Sequence, residues 1–458
     1  MSSIQNNSSN QSPMKFVIMI SVVAAIGGLL FGYDTAVIAG AIGSIQTKFD
    51  LSPALTGWAA SSAIWGCIIG VVFAGYLSDK FGRKKVLILS AILFALSAIG
   101  SSIPNNLTQF VMARMIGGIG VGIASMLSPM YISEIAPAKI RGTLVTLYQL
   151  AIVLGINLIY FINLKISSSG TEQWNIDTGW RIMLGSEVIP ALLFLILLLF
   201  IPESPRWLAS KGKIDEATTI LNKLNGEAKA ISLLQEINDS FLEEKGNLKE
   251  LFQPGLRMAI IVGMFLALFS QITGINAIIY YAPEIFKSVG YGTDSAMFQT
   301  VIIGVVNTLF TFVAIAYIDK LGRRTLLLWG ISGMIICLGG VGFMFYLELS
   351  SGPWLLLFIL GFIASFAMSL GPIPWVLIAE IFPNKIRGVA MSISILMVWL
   401  GVVLITQLTP MLLDGIGGAF TFWVFMANAI ILLIFTFRMI PETKGKTLEE
   451  IGHSWHKK

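Results

Sequence analysis

Three ionisable residues stand inside stretches that otherwise read as apolar: Asp34, Arg114 and Glu187. A charge at membrane depth costs roughly 3 kcal/mol or more unless it is paired or wet. At about 1.5 Å of rise per residue, Asp34 falls about 12 Å from the outer end of its stretch and Arg114 about 8 Å from the start of its own. The two stretches run in opposite directions, so both residues reach similar depth and an Asp–Arg interaction is predicted. Such a pair has two readings: a static structural ion pair, or a carboxylate that takes up and releases a proton. Glu187, followed by Pro190, is open to proton coupling or to helix packing.

Amides and aromatics form a second set at membrane depth: Gln149, Gln271, Asn276, Tyr280, Tyr281, Asn307, Trp375 and Trp399. A pocket for a neutral polyhydroxylated ligand needs amides that donate and accept, and flat rings against C–H faces. One such residue is usually glue between helices. All but Gln149 fall in the second half of the chain, which is more than glue requires. Gly371-Pro372-Ile373-Pro374 before Trp375 is predicted to break its helix and open room at mid-membrane. Trp174 and Trp180 read as an interfacial belt.

A third set is charged and written twice. Asp79-Lys80-Phe81-Gly82-Arg83-Lys84 returns as Asp319-Lys320-Leu321-Gly322-Arg323-Arg324, an offset of 240 (319 minus 79). The segment from Glu134 to Arg141 answers to that from Glu380 to Arg387, and Pro202-Glu203-Ser204 to Pro441-Glu442-Thr443, at offsets of 246 (380 minus 134) and 239 (441 minus 202). The chain is therefore a duplicated unit. A tight glycine turn with cations needs only membrane topology. The acids Asp79, Asp319, Glu134 and Glu380 need partners, and the cations Arg83, Arg141, Arg323 and Arg387 supply them, one network per half. These networks are predicted to latch one side of a moving pair of halves, against the plainer reading of membrane-edge charges.

The elements that must position these groups are spanning helices. Hydrophobic residues make up 55% of the chain, charged residues 12%, and there are 45 glycines, far from a soluble composition. Twelve spans are predicted, at roughly 16–42, 57–77, 86–103, 109–133, 143–163, 179–201, 257–283, 296–318, 325–347, 353–379, 389–413 and 419–440. Eleven basic residues in one set of loops face four in the other, which places both termini in the cytoplasm. The expected organisation is a tail at 1–15, a six-helix half at 16–201, a cytoplasmic insert at 202–256, a second half at 257–440 and a tail at 441–458. Within the insert, Asp215–Leu224 and Ile231–Leu242 are predicted as short amphipathic helices.

Other classes find no support. No stretch alternates with period two, against a β-barrel. The Gly117-Gly118-Ile119-Gly120-Val121-Gly122 run follows no strand and reads as close helix packing. No Walker-type loop, metal set or catalytic triad appears, so neither an enzyme nor a cofactor is expected. Basic residues confined to short loops argue against nucleic acid.

Taken together, Gly75 to Lys84, its partner at Asp319 to Arg324, Pro202-Glu203-Ser204-Pro205-Arg206-Trp207-Leu208 and Pro441 to Glu450 resemble the sugar porter family of the major facilitator superfamily, along essentially the whole chain. The run Leu30 to Ile38, the run Arg114 to Arg141 and the run Gln271 to Asn276 are most similar to its proton-coupled bacterial members. The resemblance implies an all-α membrane protein of two pseudo-symmetric six-helix halves. It implies that Asp34 is the proton site, modulated by Arg114. It also implies that Phe31, Gln149, Gln271, Asn276, Tyr281, Asn307, Gly371, Trp375 and Trp399 line a sugar site, and that Glu203, Arg206 and Glu442 join the gating residues. Those members carry Gln where this chain has Ile156, Ser270 and Val398, so a less polar pocket is expected.

The expected activity is import of a monosaccharide, xylose, glucose or similar, together with a proton, by alternating access in the cell membrane and as a monomer. Alternatives are a proton-independent uniporter and a non-transporting sugar sensor. The 17 residues after Pro441 (458 minus 441) are short for a sensor's tail.

Overall fold

The computed structural model describes residues 12–137, 140–242, 256–349, 353–382 and 387–444, which are helical and contain no strand. Among the described residues, eleven helical segments are long and apolar enough to cross a membrane, and Pro353–Ala367 is a shorter apolar helix. In order they are span one (Ser12–Lys48), two (Pro53–Phe81), three (Arg83–Ser102), four (Leu107–Ile135), five (Arg141–Ser167), six (Glu172–Phe200), seven (Leu256–Ser288), eight (Thr293–Leu321), nine (Arg323–Tyr346), ten (Pro353–Ala367, continued by Ile373–Glu380), eleven (Arg387–Gly415) and twelve (Gly417–Met439). The helices overrun the apolar stretches at most ends, and at some starts a polar cap sets the boundary. Ser52 Oγ accepts from the Leu55 N–H at 3.4 Å with Pro53 opening the helix, and Asn106 Oδ1 accepts from the Gln109 N–H at 2.9 Å.

Spans six and seven depart from the single helices predicted for them, and span ten is broken where the sequence predicts. Span six turns at Ser186–Glu187, between Trp180–Gly185 and Val188–Phe200. Pro190 has no N–H to offer the carbonyl four residues back, and the helix loosens there. Span seven stops at Ile272 and restarts at Ile275, with Gly274 in the left-handed region at φ 96°. Span ten breaks between Ala367 and Ile373, at the predicted Gly371–Pro374 site.

Spans two and four meet through glycines. A Cβ on Gly118 would overlap the Ala63 carbonyl, and one on Gly122 would overlap the Cys67 carbonyl. The glycine run therefore lets two backbones touch. Gly118→Val is expected to lower stability by about 1–3 kcal/mol through overpacking, read as a drop in melting temperature in detergent. An unchanged melt would remove this account of the run.

Spans one to six pack among themselves, as do seven to twelve, and span two against span eleven, one against seven, and five against eight join the two sets. The insert forms Pro205–Ser210, Ile214–Asn225 and Glu227–Leu242; its residues 243–255 lie outside the described residues. Leu208, Ala209 and Ala217 make its small core, covered by Trp207, Ile220, Leu234 and Ile237. Trp180, predicted at an interface, is instead fully buried, with Phe49 and Phe110 edge-on to its ring and the Arg181 guanidinium 4.4 Å from the ring centre.

Candidate functional site

Span one carries Asp34, span four Arg114 and the turn of span six Glu187, and all three are at most 1% exposed. Arg114 Nη1 donates to Asp34 Oδ1 at 2.6 Å, and Nη2 to the Asp34 carbonyl at 2.8 Å. The equal depth predicted for the pair is what the fold supplies. Glu187 faces both Asp34 and Arg114. Among the described residues, Asp34 Oδ2, Glu187 Oε1 and Arg114 Nε have no hydrogen-bond partner. Two carboxyls around one guanidinium leave one negative charge in excess, and burial disfavours that charge strongly. A single proton on the pair removes it.

Part of the amide and aromatic set is brought together, in two pairs: Gln271 with Asn276 on span seven, and Phe31 with Trp399. Gln271 ends the first segment of span seven and Asn276 opens its second. Asn276 Nδ2 donates to Gln271 Oε1 at 2.9 Å, and Gln271 Nε2 to Ser270 Oγ at 3.0 Å. Trp399 of span eleven meets Phe31 of span one with ring centres 5.5 Å apart, and its indole N–H has no partner among the described residues. Phe31 lies one turn before Asp34, so one helix carries an aromatic wall and the carboxylate. Tyr280 of span seven is buried. Gln149 in span five is half-buried, Asn307 in span eight is buried, Gly371 lies at the break of span ten, and Trp375 is 38% exposed. Tyr281 differs from expectation: its hydroxyl donates to the Thr406 carbonyl at 2.8 Å, so in this conformation it joins span seven to span eleven. Ile156, Ser270 and Val398, where amides are absent, are all buried.

The doubled charges form one network in each half. In the first, Arg83 donates through Nε and Nη2 to Glu134 at 3.1 Å and through Nη1 to Asp79 at 3.1 Å. Glu203 Oε1 caps the start of span three, accepting from the N–H groups of Arg83 at 2.9 Å and Lys84 at 3.1 Å, an anion placed where a helix start favours one. In the second, Arg323 Nη2 donates to Glu380 at 3.0 Å, and Glu442 accepts from the N–H groups of Arg323 at 3.0 Å and Arg324 at 3.1 Å. Gly82 at φ 100° and Gly322 at φ 89° give the turns, and a Cβ on Gly82 would run into the Glu203 carboxylate.

One part of the sequence reading changes. Glu134 pairs with Arg83, while Arg141, predicted to join the same network, has an exposed side chain. The seven-residue spacing carries Arg141 onto the next helix, whereas the turn at Gly82 aims Arg83 back at span four. The side chains of Asp319 and Arg387 lie outside the described residues; Arg206 stands exposed at the start of the insert. Each of these bonds stays within one half. Trp207 Nε1 donates to the Asp79 carbonyl at 3.0 Å and ties the insert to the first network.

Burial raises the Glu203 carboxyl above its usual range, against the lowering by the Ser204, Lys84 and Arg83 N–H groups and the Arg83 charge. Folding thus favours its protonated form. That stabilisation is full below the ordinary carboxylate pKa and is lost as pH rises through the raised one. Glu203→Gln is expected to flatten the dependence of melting temperature on pH over the mildly acidic range. A slope equal to that of the unmutated chain would contradict the assignment.

The halves are joined at the end of the bundle away from the charged networks. Gln407 of span eleven donates to the Ala54 carbonyl at 2.9 Å and accepts from Ser61 Oγ at 3.0 Å, both on span two. Tyr160 donates to the Ile279 carbonyl at 2.7 Å, and Ser168 to Asp294 at 3.2 Å. Gly57 lies beneath Gln407, whose carbonyl a Cβ there would overlap. Gln407 is missed by the sequence reading, though it is an amide inside an apolar stretch of the kind singled out elsewhere.

The chain matches the family described as "Sugar (and other) transporter" over residues 20–455. It is 48% identical to the arabinose-proton symporter of Bacillus subtilis (strain 168), covering 97% of this chain and 96% of the relative. To the D-xylose-proton symporter of Escherichia coli (strain K12) it is 43% identical, covering 96% of each. The solved partially occluded inward-open conformation of the xylose transporter XylE from E. coli superposes with a TM-score of 0.86 at 43% identity, over 94% of this chain and 100% of that one.

Proposed function

The chain belongs to the sugar transporter family, and on that premise we propose that it carries a monosaccharide across the membrane together with one proton. The observation that supports coupling is the Asp34–Arg114 ion pair buried together with a second carboxyl, Glu187, a group that is neutral only with a proton bound. Asp34 and Glu187 share that proton, and Arg114 holds the site in place. The sugar lies among Gln149, Gln271, Asn276, Asn307, Trp375 and Trp399, with Phe31 against Trp399. Amides answer its hydroxyls and the rings cover its C–H faces. Tyr281 and Gly371 act by shaping spans seven and ten.

The conformation described is the inward-facing one. The bonds at Gln407, Tyr160 and Ser168 close the outer side, and both termini lie in the cytoplasm. The networks of Asp79, Arg83, Glu134 and Glu203, and of Arg323, Glu380 and Glu442, hold the inner loops of each half rigid, so that each half rocks as a body. Arg141 and Arg206, both exposed, belong to these inner surfaces. The two halves are the moving bodies, and one chain suffices for transport.

Arabinose and D-xylose, named for the relatives, are the first substrates to try, followed by glucose and galactose. Uptake of each labelled sugar into proteoliposomes, with and without an inward proton gradient, tests the reading. Gradient-stimulated accumulation of at least one is expected; no flux of any of the four under either condition would contradict it.

A further inference from the structure

The first and sixth spans of the first half meet through Asp34 and Glu187. At 241 positions beyond Glu187 (428 minus 187), within the range of the repeated phrases, stands Asn428. It lies on span twelve, the counterpart of span six, and its side chain makes the corresponding contact with span seven, the counterpart of span one. Asn428 Nδ2 donates to the Ile272 carbonyl at 3.0 Å.

Ile272 is the last residue before the break in span seven, where a terminal carbonyl has no partner within its own helix. One helical turn away on span twelve, Phe425 presses on the break from the same face. A Cβ on Gly274 would meet its ring at 2.5 Å. Span twelve thus grips the break at two points, one polar and one steric. The break separates Gln271 from Asn276, whose side chains bond to each other across it at 2.9 Å. The relative position of these two amides depends on the shape of the break, and that shape is held from a helix that otherwise supports the bundle.

We propose that Asn428 is a positioning residue for sugar recognition, fixing the break in span seven so that Gln271 and Asn276 present their amides in register. It rests on the transport reading above. At the place where the first half has a titratable carboxyl, the second half has a neutral donor, so this contact sets sugar affinity and takes no part in proton binding.

The test uses the full chain purified in detergent and reconstituted, with arabinose, D-xylose, glucose and galactose as probes. Asn428→Ala is expected to raise the Kd of the tightest-binding sugar by about tenfold, and Asn428→Ser, which keeps a donor, to restore it to within about threefold. In proteoliposomes the loss falls on KM, while kcat at saturating sugar changes by less than about twofold. The pH profile of binding keeps the shape it has in the unmutated chain, because Asp34 and Glu187 are untouched. Should Asn428→Ala not fold, Asn428→Leu, of similar volume and without a donor, carries the same expectation. Unchanged affinity in the donor-less variant overturns the inference, as does Asn428→Ser being as weak as Asn428→Ala, or a loss confined to kcat. If the unmutated chain binds none of the four sugars, the transport reading itself falls, and the inference with it.

Discussion

Asp34→Asn is expected to abolish sugar accumulation against a gradient while leaving exchange of labelled for unlabelled sugar intact. A proton moving down 100 mV supplies about 2.3 kcal/mol, enough to hold a sugar ratio of about fifty. The variant should bring that ratio to about one. The reason lies in the charge count at the buried cluster. With Asp34 and Glu187 both present, Arg114 neutralises one of two acids, and a proton must neutralise the other. With Asn at position 34, the Arg114 guanidinium and the Glu187 carboxylate balance without it. The carrier then cycles in either direction with sugar alone, and an amide oxygen still accepts from Arg114. By the same count Glu187→Gln removes the requirement for a proton. Retained accumulation in Asp34→Asn, measured as steady-state uptake under an imposed proton gradient, would contradict this assignment.

Gly57→Leu is expected to be the most damaging change outside the cluster. The closed outer side brings the backbone of span two against Gln407, and even a Cβ at Gly57 would overlap the Gln407 carbonyl. Crowding of this kind costs roughly 1–3 kcal/mol per site, and here it falls on one conformation only. The outward-facing state, with the halves parted at that end, does not feel it. The population able to close outside should shrink by about ten- to a hundredfold. Turnover falls with it, while sugar still binds from outside. Distance measurements between spin labels on spans two and eleven at the outer end would show the separation shift outward. Undiminished turnover would mean that this contact does not close the door.

Much of the fold is legible in the sequence because lipid imposes one rule. Long apolar stretches must be helices, and basic loops mark one side of them. The equal depth of Asp34 and Arg114 follows from helical rise alone. The break in span ten was announced by Pro372 and Pro374. The break in span seven was not, because Thr273-Gly274 inside an apolar run looks like any small-residue packing site, and only the left-handed φ of Gly274 under Phe425 reveals it.

The charged phrases are legible as one network per half, but their wiring is not. Spacing along the chain does not say which cation meets Glu134, and the turn at Gly82 sends Arg83 back to it. Glu203 and Glu442 cap helices that begin about 120 residues earlier in the chain, a relation that spacing cannot express. Gln407 and Asn428 were passed over for a similar reason. Each is a lone amide that donates to a backbone carbonyl on another span, and no residue type signals which carbonyl that is.

The central claim is that sugar and proton cross together, and one measurement addresses it directly. Proteoliposomes containing the unmutated chain, with no starting pH gradient and an outward potassium path to prevent charge build-up, receive the transported sugar outside while external pH is recorded. Sugar-dependent alkalinisation of the external medium, in a ratio of about one proton per sugar and absent in Asp34→Asn, is the predicted result. Sugar uptake with no change in external pH would contradict it.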